Sequence, residues 1–319
     1  MTANLCTYFD KNYLSKFLTC MDSVFENEKD VKFFCLCLDD YTFNFLETLK
    51  NDHLILISLK EIENYFLELK YAKKNREKVE YYFTLSPFLP LYIIEKFSVD
   101  IINYIDSDLF FFDTPKSMVN LLGDNSIIII EHGIKTKRFG KFNVGWLTFK
   151  NDDISKNCLK RWGKECVNWC YDYVEGEKYA DQKYLDKWPL DYKKVKVLSP
   201  NFNVAPWNFD NKKANIKEKK IFINKYKIIF FHFHGLHLFK YFFSSGFSIY
   251  NKRVGKLPIN YLYKPYISRL ENYNNKVNVI ETRIRNIINF KNFKESVFKI
   301  FKLVIKIFKM IIFLDFYKK

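Results

Sequence analysis

Two carboxylates separated by a single residue follow an apolar segment about a third of the way along the chain. Asp106 and Asp108 flank Ser107 directly after the segment Val99–Ile105, which has the pattern of a buried strand. A tight turn at that point directs both carboxylates at one divalent cation, and such hard oxygen ligands suit Mg²⁺ or Mn²⁺. Because two charges beside an apolar run are costly unless they are compensated, the position favours a metal site over a chance Asp-x-Asp pair.

A histidine-rich segment lies far downstream, at the end of another apolar run. His232, His234 and His237 are three of the five histidines of the chain, and they surround Gly235 after the predicted core strand Ile228–Phe233. Imidazole is a good ligand for manganese-like ions, whereas a single histidine at a strand end is more often a hydrogen-bonded core residue. The clustering favours a loop that faces a metal or a phosphate, and both interpretations stay open on the residues alone.

Strand and helix patterns alternate around these residues. In the first hundred residues the predicted elements are strands Leu5–Phe9, Val31–Leu38 and Leu54–Leu59, and helices Tyr13–Phe25, one beginning at Asp39-Asp40, and Glu61–Lys70. Further on they are a loop and buried helix within Glu80–Phe97, strands Ser126–Ile130, Phe142–Phe149 and Val195–Leu198, and a long helix Asp153–Tyr173. This alternation predicts an α/β fold with a single, Rossmann-like, mostly parallel sheet flanked by helices, which binds ligands at the carboxyl ends of its strands.

The composition excludes several classes of protein. Of the 319 residues 48% are hydrophobic and only 9 are Gly and 8 Pro, which is unlike a disordered, collagen-like or low-complexity chain. The charge is uneven, because residues 1–210 carry 28 Lys+Arg and 31 Asp+Glu whereas residues 211–319 carry 24 and 5. This asymmetry predicts that the basic third meets phosphate, on a nucleic acid or on a membrane surface. Within it, the lysine-rich stretch Lys212–Lys227 is expected to be a solvated loop.

The C-terminal segment 290–319 is predicted to be a basic amphipathic helix. Six of its charged residues fall within one arc of about 80° on a helix, and they are Lys291, Glu295, Lys299, Lys302, Lys306 and Lys309. A narrow lysine face on a broad apolar face suits the boundary of an anionic membrane, and a helix packed on the domain is the alternative. Because basic and apolar residues separate by face and form no exposed stacking surface, no nucleic-acid partner is expected.

Cysteine usage and hydropathy indicate the compartment. The seven cysteines lie mostly in apolar stretches without zinc-like spacing, which favours buried, reduced thiols over disulfides or a metal site. The chain shows no secretory leader pattern and no run of about 18 apolar residues. We therefore expect a cytoplasmic protein that associates peripherally with the inner face of the membrane.

Five short motifs together carry a resemblance to a known enzyme family. They are Thr7–Tyr13 (TYFDKNY), Tyr104–Asp108 (YIDSD), Phe142–Trp146 (FNVGW), Asp181-Gln182 and His232–Gly235 (HFHG). In this order the chain resembles nucleotide-sugar glycosyltransferases of the GT-A fold, with the pattern of glycosyltransferase family eight and related bacterial glycosyltransferases. The resemblance covers about residues 5–238 and implies a GT-A domain over 1–240. A connecting segment over 241–289 and the basic amphipathic helix over 290–319 are expected to follow it.

The resemblance also implies a role for each motif. Mn²⁺ or Mg²⁺ is expected at Asp106, Asp108 and His232. The nucleotide sugar is expected at Phe9, Asp10, Asn12, Tyr13, Ser107, Gly145 and Gly235. The acceptor and the anomeric carbon are expected near Asn143, Asp181 and Gln182.

One position departs from the family pattern. The family usually has a lysine after its HxxG motif that touches the diphosphate, whereas here Gly235 is followed by Leu236-His237-Leu238. His237 is one candidate for that contact. Arg76 is a second candidate, because the family often has a basic residue before its DxD strand; a solvated helix residue is the alternative for Arg76.

The implied activity is metal-dependent transfer of a hexose-type sugar, with retention, from a nucleotide sugar that we expect to be a UDP-sugar. The expected acceptor is a cell-surface glycan, a lipopolysaccharide core or a lipid-linked glycan, reached through the anionic membrane surface. A nucleotidyltransferase of similar fold is an alternative, although it usually has a glycine-rich phosphate loop after its first strand, and this chain has no glycine before Gly123. A non-catalytic basic protein that binds nucleic acid or membrane is a second alternative.

Overall fold

A computed structural model describes residues 2–134, 136–211, 213–218, 220–223, 225–277 and 293–319, apart from the side chains of 293–302. Its strands are β1 (Ala3–Phe9), β2 (Val31–Cys37), β3 (Leu54–Ser58), β4 (Ile101–Ile105), β5 (Leu109–Phe111), β6 (Ile127–Glu131), β7 (Phe142–Lys150), β8 (Val195–Leu198), β9 (Ala214–Lys217), β10 (Lys220–Ile223), β11 (Tyr226–Lys227), β12 (Phe230–His232), β13 (His237–Leu238), β14 (Phe242–Ser244) and β15 (Tyr317–Lys318). Its α-helices are α1 (Leu14–Asn27), α2 (Asp40–Thr48), α3 (Leu59–Tyr65), α4 (Glu68–Lys74), α5 (Lys78–Thr84), α6 (Phe88–Phe97), α7 (Lys116–Val119), α8 (Asp153–Asn168), α9 (Trp188–Asp191), α10 (Lys256–Pro258), α11 (Lys264–Val277) and α12 (Phe293–Ile312).

A seven-stranded sheet lies at the centre, in the order β3-β2-β1-β4-β7-β6-β8. Strand β7 is antiparallel to β4 and β6, and the other neighbouring pairs are parallel. The strand order reverses between β1 and β4, so the chain leaves the carboxyl ends of these two strands in opposite directions. A crevice at such a reversal is the usual ligand site of an open α/β sheet.

Helices cover both faces of the sheet because successive strand residues point to opposite sides. On β6, Ile127 and Ile129 belong to one buried cluster, together with residues of α6 and α8. Ile128 and Ile130 belong to the other cluster, together with residues of α1. This arrangement confirms the predicted α/β fold with a mostly parallel sheet flanked by helices.

Local signals place several of the helix starts. Asp39 caps α2 by accepting a hydrogen bond from the Thr42 backbone N–H at 2.8 Å. Asp152 caps α8 in the same way, accepting from the Ser155 N–H at 2.9 Å. The predicted start of α2 at the acidic pair is therefore confirmed.

Two of the predicted helices are shorter than expected. The helix predicted over Glu61–Lys70 is divided into α3 and α4, because Phe66 leaves helical geometry and packs its ring against Phe88, 4.9 Å between ring centroids. The helix predicted over Asp153–Tyr173 ends at Asn168, where Trp169 adopts extended backbone geometry.

The lysine-rich stretch Lys212–Lys227 is not the solvated loop that its composition predicted. Strands β9, β10 and β11 form an antiparallel sheet there. Ile221 and Ile223 of β10 alternate with more exposed residues and are buried in a third apolar cluster. The apolar run Ile221–Ile223 is only three residues long and lies between Lys220 and Lys225, so the composition of the stretch hid the strand signal.

The C-terminal helix is present over Phe293–Ile312, and β15 after it pairs with β14. Residues 278–292, which include Lys291 of the predicted lysine face, lie outside the described residues. In the described part of the chain no helix has both the length and the apolarity needed to cross a bilayer. All seven cysteines are buried and free of disulfides.

Candidate active site

Strand pairing brings the three predicted metal ligands together. Asp106 follows β4, and its backbone N–H donates to the Gly145 carbonyl of β7 at 3.2 Å. Strand β12 pairs antiparallel with β5, which places His232 opposite Leu109 and therefore beside Asp108. This second pairing joins two segments that are far apart in sequence at the end of the central strands.

The resulting group has the dimensions of a cation site. One potential ligand atom from each of Asp106, Asp108 and His232 lies within 4.8 Å of the others. His232 Nε2 is 3.0 Å from Asp108 Oδ1 and 3.6 Å from Asp106 Oδ2. The side chains of His232 and Asp108 are buried, whereas that of Asp106 is 34% exposed. The group therefore opens to solvent on the side of Asp106, past the buried Ser107 of the turn.

The charges in this group are strongly coupled. Burial alone would raise the pKa of Asp108, but His232 and the Lys16 ammonium, 3.7 Å from Oδ2, hold that pKa well below its usual range. Burial raises the pKa of Asp106, which His232 only partly offsets. The two carboxylates in turn outweigh the burial of His232 and raise its pKa. The two carboxylates therefore favour positive charge at the position of the imidazole, as they would favour a metal cation bound there.

The donor set fits Mn²⁺ or Mg²⁺. Two carboxylates supply hard oxygen atoms and the imidazole supplies a nitrogen that manganese-like ions accept. Gly145 makes room for this arrangement, because a Cβ at that position would lie 2.9 Å from His232 Nδ1 and 2.7 Å from Asn143 Oδ1.

A buried network of amide side chains borders the group. Asn143 Nδ2 donates to Gln182 Oε1 at 3.0 Å, and Asn143 Oδ1 accepts from the Gly145 N–H at 2.8 Å and from Asn203 Nδ2 at 2.7 Å. Gln182 Nε2 donates to the Phe139 carbonyl at 2.7 Å. Both side chains are therefore held in one orientation before any substrate binds.

Asp181 is linked to the metal-ligand group through hydroxyl groups. Burial raises its pKa to about 7, with the charge of Asp106 adding to the effect and a hydrogen bond from Ser86 opposing it. Ser86 Oγ is 3.1 Å from the Tyr8 hydroxyl, and the Tyr104 hydroxyl donates to Asp106 Oδ1 at 3.1 Å. The two tyrosine rings are 5.7 Å apart between centroids. Ser86, Tyr8, Tyr104 and Asp106 therefore form one row of neighbouring side chains.

The loop after β1 is shaped by its own aspartate. Asp10 Oδ1 accepts from the Asn12 backbone N–H at 3.0 Å, and Oδ2 accepts from Asn12 Nδ2 at 3.0 Å and from Lys78 Nζ at 2.9 Å. The Lys16 ammonium lies 4.0 Å from the centre of the Tyr13 ring. Because Lys16 also lies beside Asp108, the Tyr13 loop and the metal-ligand group face the same cleft.

Two predicted site residues have other surroundings. The ring of Phe9 is 2% exposed and stacks on Phe17 at 4.2 Å between centroids, so it lies in the core, and its role at the nucleotide stays a prediction. Arg76 donates to the Tyr171 hydroxyl and to the Val167 carbonyl, both at 2.9 Å, and thereby caps the end of α8. Among the described residues, no hydrogen bond of Arg76 reaches Asp106, Asp108 or His232, and its role at the diphosphate stays a prediction.

The histidine loop connects the cleft to the C-terminal helix. His234 is open to solvent, and its Nδ1 lies 2.8 Å from the Tyr250 hydroxyl. Gly235 has a φ of +76°, a conformation that favours glycine. His237 forms a hydrogen bond with Lys306 of α12. The Lys306 ammonium of α12 therefore reaches the histidine loop.

Sequence reasoning missed four residues that surround this cleft. They are Lys16, His132, Asn203 and Trp207. Gln182 Nε2 is 3.4 Å from His132 Nδ1, and the Trp207 ring lies 5.0 Å from the ring of His232. None of the four belongs to a short motif, so only the tertiary structure brings them to the cleft.

Comparisons with known proteins identify two sequence relatives. No protein-family model matches the chain. It is 28% identical over 284 residues to YfnD of Bacillus subtilis (strain 168), covering 85% of this chain and 90% of YfnD. It is 29% identical over 250 residues to YfnF of the same organism, covering 74% of this chain and 82% of YfnF. Both relatives are described as uncharacterized proteins.

Solved structures establish the fold. The galactosyltransferase LgtC, in complex with donor and acceptor sugar analogs, is similar with a TM-score of 0.50 and 16% identity over 73% of this chain and 87% of that chain. The bifunctional glycosyltransferase WbbM in its apo form has a TM-score of 0.52 and 14% identity over 86% of this chain and 51% of that chain. The chain therefore has the GT-A fold of these glycosyltransferases.

Proposed function

From this fold and this site, we propose that the chain is a metal-dependent glycosyltransferase. It moves a hexose-type sugar from a nucleoside diphosphate sugar, with UDP as the nucleotide, to a glycan or lipid-linked acceptor. The observation that carries the proposal is the convergence of Asp106, Asp108 and His232 within 4.8 Å. This group lies where the chain leaves β1 and β4 in opposite directions, beside the buried amide network. The fold that this chain shares with solved glycosyltransferases supports the same assignment.

The chemistry requires charge stabilisation at the leaving group. When a glycosidic bond to a diphosphate breaks, negative charge develops on the diphosphate oxygens. A divalent cation bound by Asp106, Asp108 and His232 supplies electrostatic stabilisation of that charge. Asp108 is kept ionised by His232 and Lys16, so it is ready as a ligand at neutral pH. Asp106 is the more exposed carboxylate and faces the side from which the donor enters.

The amide network is suited to orient the sugar and the acceptor. Asn143 and Gln182 hold each other in place through the 3.0 Å hydrogen bond, which reduces the entropic cost of binding a polar substrate. Asp181, with a pKa of about 7, both donates and accepts hydrogen bonds near neutral pH. We assign these three residues to the pocket around the anomeric carbon, and retention of configuration is tested by the anomer of the product.

The nucleotide is assigned to the loop after β1 and to the histidine loop. Asp10 and Asn12 form a fixed polar surface, and the Tyr13 ring offers a face for the base. We assign Gly145 and Gly235 to the sugar and diphosphate positions, because Gly145 allows Asn143 and His232 to pack against the end of β7 and Gly235 allows the left-handed turn of the histidine loop. His237, in contact with Lys306, is the basic group that we assign to the diphosphate side of the cleft.

The basic C-terminal third suggests where the acceptor lies. Residues 211–319 carry 24 Lys+Arg and 5 Asp+Glu, which attracts an anionic surface. We propose peripheral association of the segment 290–319 with the cytoplasmic leaflet, where lipid-linked and lipopolysaccharide-core acceptors are exposed.

A panel of nucleotide sugars tests the activity. With Mn²⁺ present, slow hydrolysis of one donor to nucleoside diphosphate and free sugar is expected, and chelation is expected to stop it. Asp108→Asn should lower this turnover at least about a hundredfold, because it removes an ionised metal ligand. Asp152→Asn, which alters a helix cap of α8 outside the cleft, is the matched control and should retain turnover.

Three outcomes would contradict the proposal. They are full turnover after exhaustive chelation, unchanged turnover of Asp108→Asn, and absence of hydrolysis with every donor. Release of inorganic pyrophosphate in place of a nucleoside diphosphate would identify nucleotidyl transfer instead.

A further inference from the structure

Helix α12 is oriented with its described lysines toward the domain. Lys306 and Lys309 are only partly exposed. Lys306 contacts His237, and Lys309 donates to the Ile249 carbonyl at 3.5 Å. Met310, between these lysines and the domain, is 4% exposed. The face that the sequence predicted to meet lipid headgroups is therefore turned inward at these positions.

The opposite side of the helix is apolar and exposed. We call this surface the outer apolar face, and it consists of Leu303, Val304, Ile305, Ile307, Phe308, Ile311 and Ile312. Phe308 is 62% exposed and Ile311 is 56% exposed. Phe316 extends the surface beyond the helix, where its ring lies 5.4 Å from that of Phe242.

The helix is held in this orientation by its C-terminal end. The buried Asp315 carboxylate accepts hydrogen bonds from Ser244 Oγ at 2.9 Å, the Ser245 N–H at 2.9 Å and Ser248 Oγ at 2.8 Å. Arg253 Nη2 donates to the Ile312 carbonyl at 3.2 Å. These hydrogen bonds fix the position of the chain where it leaves α12. The helix therefore cannot rotate its apolar side toward the domain without breaking these hydrogen bonds.

An exposed apolar face of this length needs a partner. A surface helix of a globular protein normally packs its apolar side on the core and leaves its charges in water, and α12 does the reverse over residues 303–312. Contiguous exposed apolar patches mark interaction surfaces. Two copies meeting through this face would bring together two C-terminal thirds that each carry 24 Lys+Arg and 5 Asp+Glu, which is unfavourable. An anionic lipid surface is complementary both to the charge and to the apolar side chains.

We propose that α12 binds an anionic lipid surface by inserting its outer apolar face, while Lys306 and Lys309 stay on the protein side of the helix. The histidine loop, which contacts Lys306, then lies directly behind the inserted helix, so the candidate active site opens close to the lipid surface. This inference rests on the membrane partner proposed above and does not depend on the transferase chemistry.

Vesicle binding by the whole chain distinguishes the contribution of the outer apolar face of α12 from that of its lysines. Co-sedimentation is measured at physiological salt with vesicles of phosphatidylcholine and phosphatidylglycerol. Phe308→Asp combined with Ile311→Asp should weaken binding at least about tenfold, since two apolar side chains lose their burial in lipid. Leu190→Asp is the matched control, because Leu190 of α9 is an apolar side chain that is 88% exposed elsewhere, and it should bind like the unmodified protein.

The lysine variant decides the orientation. Lys306→Gln combined with Lys309→Gln should weaken vesicle binding less than the apolar double variant, and circular dichroism checks that each variant is folded. The proposal is overturned if the lysine variant loses as much binding as the apolar variant, or if the unmodified protein does not bind. It is also overturned if size-exclusion chromatography shows a dimer that Phe308→Asp with Ile311→Asp dissociates, since a second copy then covers the face. Donor hydrolysis without vesicles tests the proposed function separately.

Discussion

Gly145→Ala tests whether His232 belongs to a metal site. The added Cβ would lie 2.7 Å from Asn143 Oδ1, 2.9 Å from His232 Nδ1 and 3.1 Å from Asn203 Nδ2. Ordinary van der Waals contacts of a Cβ begin at 3.4 Å, so His232 must move by about 0.5 Å or the strand must shift. Gly145 is not among the residues with positive φ, so the cost arises from crowding alone.

Two measurable effects follow from this crowding. Overpacking of this kind costs about 1–3 kcal/mol, which corresponds to a melting temperature lower by several degrees. Displacement of a ligand imidazole should weaken Mn²⁺ binding by about tenfold to a hundredfold. Isothermal titration with MnCl₂ measures the affinity, and thermal unfolding in the presence of chelator measures the stability.

A second glycine provides the control. In Gly163→Ala the added Cβ would meet the Phe88 ring at 3.0 Å between α8 and α6. Similar crowding there should alter stability without altering Mn²⁺ affinity. If Gly145→Ala lowers the melting temperature but binds Mn²⁺ as well as the unmodified protein does, His232 is not a ligand and the reasoning fails.

Further substitutions test the electrostatics of the site and of the C-terminal anchor. Because burial raises the pKa of Asp181 to about 7, the folded state keeps a proton that the unfolded state releases near pH 4. The free energy of unfolding therefore falls as the pH rises from about 4 to 7, by an amount on the order of 4 kcal/mol. Asp181→Asn should make the melting temperature nearly independent of pH between pH 5 and pH 8. A melting temperature of this variant that falls with pH as steeply as that of the unmodified protein would contradict the prediction. Asp315→Asn, which removes the charge that binds Ser244, Ser245 and Ser248, should lower the free energy of unfolding by about 3 kcal/mol in urea titrations. A loss below about 0.5 kcal/mol would mean that these hydrogen bonds do not anchor α12.

Much of the scaffold was predictable because its signals are local. Asp39 caps α2 within one turn of its own position, and the strand before Asp106 was evident from its apolar pattern. The same locality identified the carboxylate pair at the end of β4. Short-range patterns failed where an apolar run was short and flanked by lysines, as in β10, whose buried Ile221 and Ile223 are separated by the half-buried Phe222.

The composition of the site and the orientation of α12 were decided by tertiary structure. The pairing of β12 with β5 brings His232 to Asp108, and packing brings Lys16 to the same carboxylate from α1. Helical periodicity showed that α12 has an apolar face and a lysine face, but periodicity has no information about which of them meets the domain. The buried Asp315 and its serine donors determine that direction, because long-range hydrogen bonds fix the rotation of the helix about its axis.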